Sequence, residues 1–234
     1  MSFEALNETM KKSWEIILGE NLLLKEVNAG NADRRLYALY LIQTFFYTSH
    51  NAKNQALVAL NIKGHDSPSI QYMKYCFKQS LEETGHEMMA YHDLKRMGYE
   101  IPMEKLTSPL PETEAFIAYL YKVSLTGNPL RSLGYAFWAE DSYRFFGDIM
   151  TTAIKNMGLS KDMLTFFNEH SALDVEHSQD VNAMIKKCAK TQQDWDDISD
   201  VLVMSLKMTG DMLNAVLVEY KKLLEGKSRY NGIL

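Results

Sequence analysis

The 234-residue sequence has little that interrupts or crosslinks a chain, with five prolines, twelve glycines and two cysteines. The prolines fall at three breaks, Pro68, Pro102 to Pro111, and Pro129. The segments between them are therefore free of the residue that breaks helices most strongly. The two cysteines, Cys76 and Cys188, form no CxxC pair, which argues against a disulfide framework or a zinc finger.

Strong charge of one sign and long apolar runs are also absent. The formal net charge is −5, and no basic run is longer than a pair, which argues against a nucleic-acid-binding surface. The first twenty residues carry charges throughout and lack the apolar segment of a signal peptide. No stretch reaches the roughly 18 uncharged apolar residues of a membrane span. We therefore expect a cytoplasmic protein without a membrane partner.

The apolar residues between the breaks recur at helical spacing, and no alternating strand pattern persists for more than a few residues. Because the breaks are short, neighbouring helices should run mostly antiparallel. The sequence predicts one all-α domain over residues 1–234, a bundle of about seven to eight helices. The predicted helices span about 3–28, 32–49, 52–62, 68–97, 113–126, 129–157, 160–189 and 192–225.

Residues 170–177 read HSALDVEH and place three metal-ligand types at offsets of four and seven: His170, Asp174 and His177. In an α-helix these offsets correspond to rotations of about 40° and about −20°. All three side chains should then form one stripe. A single histidine on a helix is usually a surface or core residue, whereas three ligand types in one stripe are much less common.

A second candidate set lies in the segment LEETGHEMMAYHDL. Glu83 and His86 are three residues apart, and Glu82 with His86 is the alternative pair. Glu-x-x-His is the motif by which a bundle helix offers a carboxylate and an imidazole to a dinuclear iron or manganese site. Asp174-x-x-His177 repeats this spacing with Asp in place of Glu, so the two segments support each other.

Glu140 is a third candidate because it follows seven apolar or small residues, Leu133 to Ala139. A carboxylate on the buried face of such a helix needs a partner, and a metal ion would supply one. The alternative is that Glu140 faces solvent beside Asp141. Carboxylates mixed with imidazoles suit iron or manganese better than structural zinc or calcium. One metal would need only three ligands, whereas two metals could share bridging carboxylates.

Two polar stripes could border a substrate pocket. Tyr40, Gln43, Tyr47 and His50 recur at spacings of three, four and three on an otherwise apolar helix. They are interpreted either as core aromatics with locally satisfied hydroxyls or as one wall of the pocket. Lys207 and Asp211 share a face of the last helix with Asn214 and could line the opposite wall or be solvated.

Together these segments resemble the haem oxygenase-like di-iron oxidases and oxygenases, which share the fold of TenA-like proteins. The resemblance rests on YLIQTFFYTSHNAKNQAL, EETGHEMMAYHDLKRMGYE, LGYAFWAE and FFNEHSALDVEH, and it spans roughly residues 35–220. It implies a non-haem di-iron site, with a labile second iron and manganese as the alternative metal. The ligands it implies are Glu83, His86, Glu140, His170, Asp174 and His177. Glu83 is the least secure of them, because some members place that carboxylate at the position of Gln79.

The same resemblance implies what the chain does. It predicts activation of O₂ on a small substrate of the amino acid, amine or fatty acid class, and a homodimer. Haem oxygenases ligate haem through a histidine on the first helix, and none occurs here before His50, so no haem is expected. The alternatives are a metal-free TenA-like hydrolase or small-molecule binding protein, and a ferritin-like di-iron protein. An interaction module without an active site fits least, because polar residues interrupt the apolar helices.

Overall fold

The computed structural model describes residues 1–106 and 108–234, and within 169–176 it describes the course of the helix but no side chain. In this part of the chain the structure consists of α-helices and short 3₁₀ turns, without a strand. The predicted all-α class is confirmed. The α-helices are α1 (Phe3–Glu20), α2 (Leu22–Asn28), α3 (Arg34–Thr48), α4 (Asn51–Asn61), α5 (Ser67–Glu82), α6 (Glu87–Arg96), α7 (Pro111–Leu125), α8 (Leu133–Ala139), α9 (Tyr143–Met157), α10 (Thr165–Cys188) and α11 (Gln192–Leu224).

The first predicted helix is wrong in one respect, because the chain breaks at Asn21 into α1 and α2. The Asn21 side chain accepts hydrogen bonds from the backbone N–H groups of Leu23 and Leu24, which caps the start of α2. Its amide nitrogen donates to the Gly210 carbonyl at 2.8 Å. The break therefore also fixes the start of α2 against α11.

Two more predicted helices are interrupted, and both interruptions contain candidate ligands. The predicted helix 68–97 consists of α5 and α6, separated by turn residues Glu83 to His86 in which Gly85 has a φ of +93°. The predicted helix 129–157 consists of a 3₁₀ turn, α8 and α9, with turn residues 140–142 between the two helices. The left-handed conformation at Gly85 is one that glycine adopts without steric cost.

The 33-residue helix α11 packs against α1, α2, α3, α7 and α8. The helix α8 approaches it closely at Gly134, where an added Cβ would overlap the Ile198 carbonyl oxygen and lie 2.8 Å from the Leu202 nitrogen. In the described ranges α11 is also the one helix long and apolar enough to cross a membrane by length and composition. The predicted absence of a run of about 18 uncharged apolar residues still holds, because Lys207 and Asp211 interrupt the apolar residues of α11. Because 56% of the apolar window is buried inside the chain, a core helix accounts for it equally well.

Asp93 connects α6 to the start of α10. Its carboxylate is fully buried and accepts hydrogen bonds from the backbone nitrogens of Thr165 at 3.1 Å and Phe166 at 2.9 Å. The Thr165 hydroxyl donates to the same carboxylate at 2.5 Å. These contacts satisfy N–H groups that a helix start leaves unpaired. The helix that carries His177 is thus held against the segment that follows His86.

Candidate metal centre

Four of the six predicted ligands have described side chains, and the structure arranges them as two histidine–carboxylate pairs. His177 Nδ1 lies 3.3 Å from Glu140 Oε2, and His86 Nδ1 lies 3.5 Å from Glu83 Oε1. Glu83 and His177 are each only 7% exposed. The turns after α5 and α8 supply Glu83, His86 and Glu140, while α10 supplies His177. Two chain breaks and one continuous helix therefore build this cluster.

The electrostatics show that the two pairs form one cluster. The hydrogen bond to Glu140 raises the pKa of His177 to about 8 against the opposing effect of burial, and the charges of Glu82 and Glu83 add to it. The hydrogen bond to Glu83 raises the pKa of His86, again against burial, with a contribution from Glu140. The pKa of each imidazole is therefore raised by the carboxylate of the other pair as well as by its own.

The structure separates the roles of Glu82 and Glu83. Glu83 is buried, lines the central cavity and accepts a hydrogen bond from Asn51 Nδ2 at 3.3 Å. The Glu82 side chain is 37% exposed, and its Oε2 lies 3.7 Å from His177 Nε2. Gln79 Nε2 donates to the same Glu82 oxygen at 3.2 Å, and Lys78 Nζ lies 3.7 Å from the other. Glu82 thus faces the opposite ring nitrogen of His177 from the one that contacts Glu140.

The remaining two predicted ligands, His170 and Asp174, have side chains outside the described residues. The helix α10 runs through both positions, as predicted. Among the side chains that the structure describes, no three His, Cys, Asp or Glu residues converge closely enough to hold a metal ion. The donors present are nevertheless of the kind that iron prefers, carboxylate oxygen and imidazole nitrogen. They lie in a buried cluster where a metal ion would replace the proton shared within each pair.

A cavity of about 200 Å³ borders the cluster. Glu83 and Glu140 both line it, so the two carboxylates lie in its wall. Most other lining residues are aliphatic or aromatic, and they come from α2, α3, α4, α7, α8, α9, α10 and α11. The aromatic part of the lining consists of Tyr37, Tyr40, Tyr47, Tyr135, Trp138, Tyr143, Phe146, Phe166 and Phe167. A concave, mostly apolar site with a few polar groups is typical of small-molecule binding.

The predicted stripe on α3 is only partly in the cavity wall. Tyr40 and Tyr47 line the cavity, whereas Gln43 has its hydrogen bonds elsewhere. The fully buried Gln43 donates to the Tyr230 hydroxyl at 3.1 Å and accepts from the Leu110 nitrogen at 2.8 Å. His50 Nδ1 lies 2.8 Å from the Tyr121 hydroxyl. Gln43 therefore holds the C-terminal segment to the bundle, and neither Gln43 nor His50 is among the described residues of the predicted pocket wall.

Lys207 and Asp211 lie on the surface and are not among the described lining residues, which agrees with the solvated alternative and not with the opposite wall. Their side chains are 66% and 50% exposed, and they pair with each other at 2.6 Å. The cavity is lined instead by Thr209, Met212 and Leu213 of the same helix. Lys207 and Asp211 are each two residues from Thr209, which is a rotation of about 200° around the helix. The predicted polar face of α11 is therefore the solvent face.

Sequence reasoning missed two groups near the carboxylates. Asn51 and Asn54 lie one turn apart on α4 and both line the cavity, an arrangement visible in hindsight as polar residues at helical spacing. Tyr75 is 7% exposed, and its hydroxyl has no hydrogen-bond partner among the described residues. Burial raises the pKa of Tyr75 well above its usual range, and the nearby charge of Glu140 raises it further.

Comparison with known proteins points in the same direction. Residues 38–209 match the model of the family described as iron-containing redox enzyme. A Shewanella denitrificans OS217 domain of unknown function with a haem oxygenase-like fold is 37% identical at a TM-score of 0.92, covering 98% of this chain and 97% of that one. A TenA homologue from Pseudomonas syringae is 10% identical at a TM-score of 0.73, with 92% of each chain covered. A TenA homologue from P. horikoshii OT3 is 14% identical at 0.67, covering 91% of this chain and 96% of that one. No curated protein matches the chain.

Proposed function

Because this chain belongs to the family of iron-containing redox enzymes and has a haem oxygenase-like fold, we propose that it is a non-haem di-iron oxidase or oxygenase. The reaction uses dioxygen and a small organic substrate. The proposed ligands of the two irons are Glu83, His86, Glu140, His170, Asp174 and His177. The observation that carries the proposal is the pair of buried histidine–carboxylate contacts beside the cavity, at 3.3 and 3.5 Å.

The continuity of α10 supports the inclusion of His170 and Asp174. The helix spans Thr165–Cys188 without interruption, so positions 170, 174 and 177 share one stripe of the helix. The described end of that stripe, His177, faces Glu140. A third carboxylate and a third imidazole from α10 would complete the mixed donor set expected of a dinuclear bundle site.

The chain itself supplies orientation and exclusion of water. Bound iron supplies the redox chemistry, in which dioxygen is reduced and the substrate is oxidised. Glu82 lies on the Nε2 side of His177 and can hold the proton there while Nδ1 is left for the metal, as outer carboxylates do at many histidine ligands. Asn51 holds Glu83 by its hydrogen bond. The apolar lining keeps bulk water from the carboxylates and accommodates the substrate.

The alternative of a metal-free, TenA-like hydrolase is less well supported. A hydrolase with a cysteine nucleophile would need a thiol at the cavity, and the cavity lining that the structure describes contains no cysteine. Cys76 is fully buried, and burial raises the pKa of its thiol to about 12. A thiol with so high a pKa is a poor nucleophile because it forms little thiolate. The TenA homologues are only 10% and 14% identical to this chain, so the likeness supports a shared fold and not a shared reaction.

The proposal also covers the partners, the compartment, the assembly and the metal of the enzyme. Its partners are the substrate and dioxygen, its compartment is the cytoplasm, and its assembly is a homodimer. The second iron is held more weakly than the first, and manganese is the alternative metal. A ferritin-like site is the remaining di-iron alternative. The position of His170 one turn before Asp174 on α10 argues against it, because that site uses only a Glu-x-x-His pair on such a helix.

Oxygen uptake tests the proposal. Protein loaded with ferrous iron under nitrogen should consume dioxygen faster than the same concentration of free ferrous iron. Glu140→Gln should slow this uptake by about tenfold or more, because the variant loses a charged oxygen donor beside His177. Glu225→Gln, at an exposed carboxylate paired with Lys227, is the control and should match the wild type. Uptake equal to that of free iron in all three samples would contradict the proposal.

A further inference from the structure

We infer that two indole rings, those of Trp138 and Trp14, form an electron route between the candidate metal centre and the helix α1. The route supplies electrons to the centre when iron and dioxygen react there in the absence of substrate. The inference goes beyond the proposed function and rests on it, because that reaction is the source of the oxidant. Its basis is a series of hydrogen bonds and ring contacts that begins at Glu83.

The inner end of the route lies in the cavity wall. Tyr135 and Trp138 both line the cavity, as Glu83 does. Asn51 Nδ2 donates a hydrogen bond to Glu83 at 3.3 Å, and the Tyr135 hydroxyl donates to Asn51 Oδ1 at 3.5 Å. The ring centroids of Tyr135 and Trp138 are 5.4 Å apart in an edge-to-face contact. Continuous contacts therefore lead from a proposed iron ligand to the first indole ring.

The outer end of the route is Trp14 on α1. The centroids of the Trp138 and Trp14 rings are 5.9 Å apart, again edge to face, although the two residues are distant in sequence. Trp14 is fully buried, but Lys12 and Glu15 on the same helix are exposed. Because an α-helix is about 10 Å in diameter, the route ends within about that distance of solvent.

The surroundings of the rings favour transfer of an electron without a proton. Trp14 Nε1 has no hydrogen-bond partner among the described residues, so no base is in place to take its proton. Trp138 Nε1 donates to the Ser205 hydroxyl at 2.8 Å, and a hydroxyl is too weak a base to remove that proton. Burial raises the pKa of Tyr135, and the charge of Glu83 raises it further. The phenol therefore keeps its proton, and Tyr135 serves as a bridge between the site and Trp138.

Each transfer moves one electron towards the iron and leaves a radical cation, first on Trp138 and then on Trp14. After two transfers, water adds to the oxidised ring of Trp14 and two protons leave, which gives a hydroxytryptophan. Two electrons from Trp14 and one from each of two ferrous ions reduce one dioxygen to two waters. Of the four protons required, the Trp14 ring and the added water release two and solvent supplies two. A thiol in solution would instead return the electrons to Trp14 and be oxidised to its disulfide.

Peptide mass mapping after reaction without substrate tests the inference. Iron-loaded protein would react with dioxygen in the absence of thiols, beside iron-free protein treated with hydrogen peroxide. In the iron-loaded protein we expect added oxygen on the buried Trp14 in a larger fraction of chains than on Trp195, which is partly exposed and outside the route. In the peroxide-treated protein the order should be reversed, because a diffusing oxidant reaches exposed rings first.

Trp138→Phe should reduce the oxidation of Trp14 to the level of iron-free protein kept under dioxygen, because phenylalanine fills most of the space but is much harder to oxidise. Trp195→Phe is the matched control and should leave the oxidation of Trp14 as in the wild type. Tyr135→Phe removes only the hydroxyl that reaches Asn51 and should also lower the oxidation of Trp14. It replaces Trp138→Phe as the test if that variant does not fold. Dioxygen uptake would be recorded on the same samples.

Three results would overturn the inference and leave the proposed function in place, provided that the uptake of dioxygen exceeds that of free iron. They are an unmodified Trp14, oxidation of Trp195 equal to or greater than that of Trp14, and oxidation of Trp14 that the folded route variants leave unchanged. Uptake equal to that of free iron, with Trp14 unmodified, would overturn both the inference and the proposed function.

Discussion

Glu83→Gln should weaken ferrous iron binding by about 100-fold, whereas Glu82→Gln should weaken it only about tenfold. The difference follows from their positions. Glu83 is buried in the cavity wall and contacts His86, so its loss removes a proposed ligand. Glu82 is partly exposed and approaches His177 Nε2 at 3.7 Å, so its loss removes only the group that orients that ring.

The two substituted residues are adjacent in sequence, and each variant loses one negative charge. Each variant is therefore the control for the other. Iron affinity would be measured without oxygen, by competition with a coloured chelator. Equal losses in the two variants would mean that net charge alone governs binding. A larger loss in Glu82→Gln would make Glu82 the ligand, which is the alternative left open by the spacing of Glu82, Glu83 and His86.

Gly134→Ala should destabilise the fold by about 3 kcal/mol. The added methyl group would overlap the Ile198 carbonyl oxygen and approach the Leu202 nitrogen, both of which are backbone atoms of α11. Backbone in a core helix cannot move aside as the end of a flexible side chain can, so α8 must separate from α11. Urea unfolding followed by circular dichroism measures the free energy of unfolding.

Gly147→Ala is the control for that measurement. Gly147 lies within α9, and an added Cβ there meets no atom within 4 Å. Alanine should therefore stabilise the protein by about 0.5–1 kcal/mol through helix propensity. If Gly134→Ala were as stable as Gly147→Ala, the close crossing of α8 and α11 would be wrong.

The sequence predicted the helical class and most helix ends because apolar periodicity and punctuating residues act locally. The last helix was predicted over 192–225 and is Gln192–Leu224. The breaks at Glu83–His86 and at 140–142 were missed, because residues on both sides of each break keep a helical pattern. The prediction that Glu83 and His86 share one helix is wrong, yet the turn still brings them to 3.5 Å.

The candidate site was predictable where ligands repeat at helical spacing and unpredictable where the partners are distant in sequence. Gln43 donates a hydrogen bond to the Tyr230 hydroxyl, which is 187 residues away, and no local pattern predicts that contact. For Lys207 and Asp211 the sequence left a pocket wall and a solvated face as alternatives, because spacing alone does not say which face of a helix is buried. No sequence pattern singles out Asn54, since asparagine is usually exposed, and only the folded chain shows it buried among the lining residues.

The most direct test of the dinuclear site is the number of irons retained per chain. Apoprotein would be loaded with ferrous iron under nitrogen, freed of excess and analysed beside His177→Ala and the exposed-site control His92→Ala. We expect about two irons per chain in the wild type and the control, or between one and two where the second iron is lost during washing, and clearly fewer in His177→Ala. No retained iron in any of the three proteins, with His177→Ala indistinguishable from the wild type, would contradict the account.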